Sequence, residues 1–96
     1  MKVGFIGLGN VGAKLAGSLL RNGFDLTVRD LDSSATEEFS RLGARVAASP
    51  KELAQHCDVI VTCLPSPAIS ASVIEGENGV LAGLSEGNIW IEMSTT

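Results

Sequence analysis

The chain has 96 residues, 45% of them hydrophobic and only 19% charged, with a formal net charge of −4 and a mean hydropathy of +0.28. That length fits one small domain burying about 60% of the surface its unfolded form exposes, and so apolar a composition implies surface that meets further chain or another subunit. The acidic balance excludes a nucleic-acid groove, which needs clustered Lys and Arg; no apolar run reaches the roughly 18 to 20 residues that span a bilayer, and Met1-Lys2 leads straight into strand, so the expected location is cytoplasmic.

Lys2 to Ile6 is a short apolar run suited to a strand buried on both faces. It feeds into Gly7-x-Gly9-x-x-Gly12. From Val11, the positions Val11, Leu15, Ala16, Leu19 and Leu20 fall on one helical stripe with Lys14, Ser18 and Arg21 opposite, and Asn22-Gly23 supplies the stop. Phe24 to Val28 alternates as a second strand and closes in Arg29-Asp30. Ser34-x-x-Glu37 has the capping-box pattern for a second helix, with Phe39 and Leu42 on its buried side and Gly43 at its end. Ala44 to Ala48 reads as a third, weaker strand.

Ser49-Pro50-Lys51-Glu52 is a strong helix start, with Ser as N-cap, Pro at the first helical position and Glu three residues after the cap. Asp58 to Leu64 is the most strand-like run in the chain, and Pro65 ends it because proline cannot continue a central ladder. Ser66-Pro67 starts another helix running to about Glu75. Residues 76–88 hold four glycines around Val80, Leu81 and Leu84 and read as irregular chain with one helical turn. Asn88 to Met93 is the last strand, delivering Ser94, Thr95 and Thr96 to its carboxyl end.

Strand alternating with helix implies an α/β fold, a Rossmann-type doubly wound parallel sheet with right-handed crossovers and strand order 3-2-1-4-5. The switch point falls between strands 1 and 4, beside Gly7 to Gly12 and Leu64-Pro65, where open α/β sheets bind ligands.

The glycines and a distal acid carry the chemistry. The first glycine permits a tight turn out of the strand, the second removes a side chain where backbone must approach a pyrophosphate, and the third lets helix and strand pack closely. A lone GxGxxG is weak in a chain with eleven glycines; here strand, loop, helix and acid follow in sequence. Asp30, eighteen residues after Gly12, can accept both hydroxyls of an adenosine ribose, and its charge opposes a 2′-phosphate, which favours NAD over NADP. Arg29 beside it would tolerate that phosphate. Leu64-Pro65 either meets the cofactor's ribose side or simply terminates a strand, and both can hold together. Ser94 and Thr95 either bond substrate or nicotinamide or cap a following helix; Glu92 reads as a partnered structural acid.

Cys57 and Cys63 bracket one apolar segment at a spacing too wide to bridge along a strand, and read as small buried hydrophobes in a reducing compartment. His56 has no second His with which to complete a zinc pattern, so no metal site is expected. Hydride transfer needs a proton donor beside the carbonyl, normally Lys, His or Tyr. The chain has no Tyr, His56, Lys2 and Lys51 fall at the wrong places, and Lys14 lies on the first helix's polar face. No catalytic residue is therefore assigned within this chain.

Gly4-Phe-Ile-Gly-Leu-Gly-Asn-Val-Gly12, Asp30, Cys63-Leu64-Pro65 and Glu92-Met-Ser-Thr95 together resemble the N-terminal part of the β-hydroxyacid dehydrogenases, the 3-hydroxyisobutyrate dehydrogenase family, over the whole chain. The resemblance implies that residues 1–96 are the N-terminal part of an NAD(P)-binding Rossmann domain, followed by a helical domain that completes the active site and forms a homo-oligomer. It implies interconversion of a small 3-hydroxy acid and its semialdehyde. By that likeness Leu8, Gly9, Asn10 and Val11 line the pyrophosphate within the cofactor-binding loop that Gly7 and Gly12 complete, Asp30 serves the adenosine ribose, Leu64 and Pro65 the second ribose, and Thr95 the nicotinamide side, while Ser94 matches a serine at the substrate carboxylate. Val11 stands where the family usually has Met, and Glu92-Met93 where Asp-Ser is common. The family's catalytic lysine falls beyond Thr96, so the chain alone is expected to bind nucleotide weakly and catalyse nothing. An NADP-dependent 6-phosphogluconate dehydrogenase type, which Asp30 opposes, and a non-catalytic nucleotide-sensing module are the alternatives.

Overall fold

The amide and carbonyl groups of five short apolar runs find their partners in one parallel sheet of order β3-β2-β1-β4-β5. The computed structural model describes residues 1–64 and 67–93. In chain order the elements are β1 (Lys2–Ile6), α1 (Asn10–Arg21), β2 (Asp25–Arg29), α2 (Ser33–Arg41), β3 (Arg45–Val46), α3 (Pro50–His56), β4 (Val59–Thr62), α4 (Pro67–Glu75), α5 (Val80–Gly83) and β5 (Ile89–Glu92). The expected Rossmann-type order is present. Central β1 pairs on both sides, Phe5 lying between Val28 of β2 and Val61 of β4.

Residues alternate between two apolar layers because successive side chains of a strand point to opposite faces. Val3 and Phe5 of β1, Leu26 and Val28 of β2 and Val61 of β4 pack with Ala16 of α1 and Phe39 of α2. On the other face Ile6 and Ile60 pack with Leu53 and Ala54 of α3 and Val80 of α5. Gly4 faces Leu53: a Cβ on Gly4 would overlap the Leu53 side chain and come within 3.0 Å of Cys57 Sγ, so the missing side chain sets how closely α3 approaches β1.

Four local expectations are corrected. The N-cap of α2 is Asp32, not Ser34; the Asp32 carboxylate accepts the Ser34 N–H at 3.0 Å and its hydroxyl at 2.6 Å, which places Ser34 inside the first turn and leaves no capping box. Leu42 is the C-cap and is exposed, since the helix has ended before that position can turn inward. Val11 is 64% exposed because the first turn of α1 stands beyond the strand ends; the buried contacts begin at Gly12 and Ala16. The third strand is shorter than its five-residue pattern, only Arg45 and Val46 pairing with Thr27 and Val28. By contrast Ser49 caps α3 as expected, its Oγ accepting the Glu52 N–H at 3.1 Å with Pro50 at the helix start.

β5 pairs with β4 through Ile89–Val59 to Glu92–Thr62. Its outer ladder edge carries no further strand among the described residues, and Ile89, Ile91 and Met93 remain exposed. Trp90 is held from the inner side, its indole Nε1–H donating to the buried Thr62 Oγ1 at 3.1 Å.

Candidate functional site

The chain leaves β1 through Gly7, whose φ of +101° lies in the left-handed region that side chains disfavour. A Cβ at Gly7 would also strike the carbonyl oxygen of Cys63, at the end of β4. The same turn is tied to β2, because the Gly7 N–H donates to the Arg29 carbonyl at 3.0 Å. Gly12, in the first turn of α1, packs directly on the carbonyl of Gly7, with Phe5 Cε1 only 3.3 Å from where its Cβ would stand. Gly9 differs from both. Its backbone is extended (φ −68°, ψ −171°), a conformation any residue adopts, and nothing lies within 4 Å of a Cβ built there. The chain's own packing explains Gly7 and Gly12 but not Gly9, and the open side at Gly9 leaves room for a ligand.

That open side adjoins unsatisfied donors. Helix α1 begins without a side-chain cap: the Gly9 carbonyl accepts the Ala13 N–H at 2.7 Å, and the amides of Asn10, Val11 and Gly12 have no protein acceptor among the described residues. No acidic side chain occupies the first turn. Three such amides at the positive end of a 12-residue helix are able to accept an anion.

Asp30 follows β2 beside this loop. Its Oδ2 accepts the Leu8 N–H at 2.6 Å and its Oδ1 the Asp32 N–H at 2.8 Å. An open crevice of about 410 Å³ runs past it, lined by Ile6 and Gly7 of the β1 end, Arg29, Asp30 and Leu31 of the β2 end, and Pro50, Leu64 and Val73. Leu31 is 83% exposed. A large apolar side chain standing in water beside an acid, with a proline and a valine on the same crevice, fits the flat face of an adenine ring next to a ribose. Leu31, Pro50 and Val73 are the site residues that the sequence reading passed over. Pro50 had registered only as a helix start, and the available signal for Leu31 was an apolar residue directly after the strand-end acid.

The predicted residues that are among those described gather at one place. Gly7, Leu8, Gly9, Asn10, Val11 and Gly12 form the loop and first turn, Asp30 lies against Leu8, and buried Leu64 lines the crevice beyond β4. The Leu8 side chain belongs to the core, so only its backbone faces Asp30. Pro65, Ser94 and Thr95 lie outside the described residues. Lys2, Lys14, Lys51 and His56 do not line the crevice. Lys2 and His56 line a separate open recess of about 500 Å³ toward the amino ends of the strands, together with Asp25, Arg45 and Glu52. Charges of both signs meet there, at the end of the sheet away from the glycine loop.

No group of three or more His, Cys, Asp or Glu side chains among the described residues is placed to hold a metal ion. Both cysteines are free: Cys57 is buried, whereas Cys63 is only partly so. Burial pushes the Cys57 thiol above its ordinary value, against a smaller opposing effect of its hydrogen bond with Thr27.

A glycine loop under an uncapped helix, an acid on the next strand and a 3-2-1-4-5 parallel sheet agree with the family match, in which the NAD binding domain of 6-phosphogluconate dehydrogenase covers residues 2–96. The chain belongs to this family. Within it, mitochondrial 3-hydroxyisobutyrate dehydrogenase of Mus musculus is 41% identical over 93 residues, which are 97% of this chain and 28% of the mouse protein. The 3-hydroxyisobutyrate dehydrogenase of Mycobacterium tuberculosis, solved with L-serine, superposes with a TM-score of 0.88 at 28% identity, over 98% of this chain and 31% of that one. An imine reductase of Myxococcus stipitatus in complex with NADP+ has the same fold, with a TM-score of 0.91 at 22% identity over 100% of this chain and 32% of that one. The chain therefore spans less than a third of the length of these relatives. It is an NAD(P)-binding domain of the hydroxyisobutyrate-type dehydrogenases and their relatives, as the likeness seen in the sequence implied.

Proposed function

We propose that this chain is the cofactor-binding part of an NAD-dependent oxidoreductase that interconverts a small 3-hydroxy acid, of the 3-hydroxyisobutyrate kind, and its semialdehyde. The single observation that carries the binding role is the open side of Gly9 at the start of α1, where three amides have no acceptor among the described residues, with Asp30 and the crevice beside it. The residues present fit the cofactor. The amides of Asn10, Val11 and Gly12 hold the pyrophosphate, Asp30 the adenosine ribose, and Leu31, Pro50 and Val73 the adenine, while Leu64 and Pro65 approach the second ribose. Bound there, the nicotinamide ring supplies the hydride acceptor or donor.

Preference for NAD rests on charge. A 2′-phosphate would bring about two negative charges next to the Asp30 carboxylate, in a crevice where Arg29 is the lining cation among the described residues. The same acid argues against the NADP-dependent 6-phosphogluconate type. Substrate placement falls to Ser94 and Thr95, which follow β5 in the sequence, and the proton donor to further chain folding as a helical domain, which also makes the homo-oligomer. The similarity to 3-hydroxyisobutyrate dehydrogenases supports the substrate class. The test is reduction of NAD by the complete enzyme, this chain joined to the further chain that supplies the proton donor, with 3-hydroxyisobutyrate and a panel of small 3-hydroxy acids, followed at the absorbance of the reduced nicotinamide. Turnover with NAD exceeding that with NADP is expected; turnover with NADP alone, or binding of nucleotide without turnover of any such acid, contradicts it, the latter favouring a sensing module.

A further inference from the structure

The contacts of Asp30 are more than a ribose acceptor needs. Its carboxylate spans two chain segments, Oδ2 taking the Leu8 N–H of the glycine loop at 2.6 Å and Oδ1 taking the Asp32 N–H of the β2–α2 turn at 2.8 Å. Between Gly7, fixed to β2 through the Arg29 carbonyl, and Gly9, fixed to α1 through Ala13, the Leu8 amide is the one intervening donor of the loop. Nothing packs where a side chain of Gly9 would stand. The Leu8 side chain anchors the loop in the core, and the bond to Asp30 fixes the direction of its backbone between the two ends.

Resting on the cofactor reading above, we propose that Asp30 is a positioning residue for the pyrophosphate loop as well as an acceptor for the ribose, so that one carboxylate couples the two halves of the cofactor site. The two tasks are compatible. An ionised carboxylate offers about four lone-pair sites; two are committed to backbone amides, and two remain for the adjacent hydroxyls of a ribose. Bonds from N–H donors to a charged acceptor are the stronger kind, and a loop held before binding spares the ordering cost that a loose loop incurs when ligand arrives. Asp32, in turn, is fixed as the N-cap of α2 by Ser34, so the carboxylate is anchored to a rigid element at its far side.

The two roles separate in a cycle of two nucleotides and two proteins. NAD and its 2′,3′-dideoxyadenosine analogue, which lacks the hydroxyls that Asp30 would accept, are titrated calorimetrically into the unsubstituted protein and into Asp30→Ala. If Asp30 acts only through the ribose, the substitution weakens NAD and leaves the analogue's affinity unchanged, which overturns the proposal while the cofactor reading stands. If it also shapes the loop, Asp30→Ala weakens the analogue as well, by about ten-fold, the lower end of what a hydrogen bond to a charged group carries. Absence of NAD binding by the unsubstituted protein overturns both the cofactor reading and the proposal. Should Asp30→Ala not fold, amide hydrogen exchange at Leu8 in the unsubstituted, nucleotide-free protein decides. Protection there well above that of an unstructured amide is expected, and exchange at the unstructured rate overturns the loop role.

Discussion

Gly9 and Gly12 lie in one motif yet answer to different constraints, and substituting them separately tests the site against the fold. At Gly9 the extended backbone accepts an L side chain and no atom lies within 4 Å of the new Cβ. Gly9→Val therefore changes stability only through the helix cap, by about 1 kcal/mol or less, a shift in Tm of roughly 4 to 8 °C at most for a domain of this size. The isopropyl group instead fills the space in front of the Asn10, Val11 and Gly12 amides. Losing two charge-assisted hydrogen bonds to a pyrophosphate, at about 1.5 kcal/mol each, weakens nucleotide by roughly a hundred-fold. At Gly12 the order reverses. A methyl group there would strike the Gly7 carbonyl and press on Phe5, forcing α1 away from β1. Such overpacking costs about 1 to 3 kcal/mol, partly offset by the roughly 1 kcal/mol that Ala gains over Gly in a helix. Circular dichroism melting and calorimetric titration on the two variants read both quantities. A folded Gly9→Val protein that binds NAD as the unsubstituted chain does would remove the pyrophosphate from this loop, and one that fails to fold would contradict the open space at Gly9.

Other substitutions probe the scaffold that holds the site. Gly4→Ala, pressing on Leu53 and Cys57, is expected to destabilise by about 1 to 3 kcal/mol, and Leu53→Ala, at a fully buried position, by about 2 to 5 kcal/mol. The double variant should cost less than the sum in urea denaturation, because each change makes room for the other; strict additivity would mean that the two do not touch. Thr62→Val removes the acceptor of the Trp90 indole N–H, with a cost of about 1 kcal/mol and a change in the emission of the chain's single Trp; unchanged emission would show that the bond does not form. The Asp32 carboxyl is held below its ordinary value of 3.8, first by the Ser34 side chain and then by the Ser34 N–H. A lowered folded value means stability that is full above pH 3.8 and lost as pH falls through that lowered value. The Tm difference between the unsubstituted chain and Asp32→Ala should accordingly narrow in acid, and a difference independent of pH down to pH 2 would refute the cap's charge.

Much of this arrangement was legible because the relevant signals are local. Gly7 and Gly12 are dictated by backbone conformation and close approach, Asp30 by its place at the end of an apolar run, and Ser49-Pro50 by the stereochemistry of a helix start. Alternation and crossover handedness indicate a doubly wound parallel sheet, and the glycine fingerprint with its distal acid points to the 3-2-1-4-5 order among such sheets. Less was legible where two local signals competed. Asp32 and Ser34 are both good caps, and the carboxylate prevailed because it takes both the amide and the hydroxyl of Ser34. Val11 and Leu42 carry the helical period but sit in terminal turns that project past the sheet, so periodicity alone misplaced them. The crevice residues Leu31, Pro50 and Val73 come from three separate segments, and no spacing in the sequence announces that the sheet brings them together. Nor does any spacing reveal that the Asp30 carboxylate reaches back to the Leu8 amide.

Calorimetric titration of NAD and NADP, side by side, into the folded protein tests the central claim most directly. Saturable binding of both with NAD the tighter is the result predicted by an anion site at the start of α1 flanked by the Asp30 carboxylate. Tighter binding of NADP would return the β2 end to Arg29, and binding of neither by a folded chain would contradict the site itself.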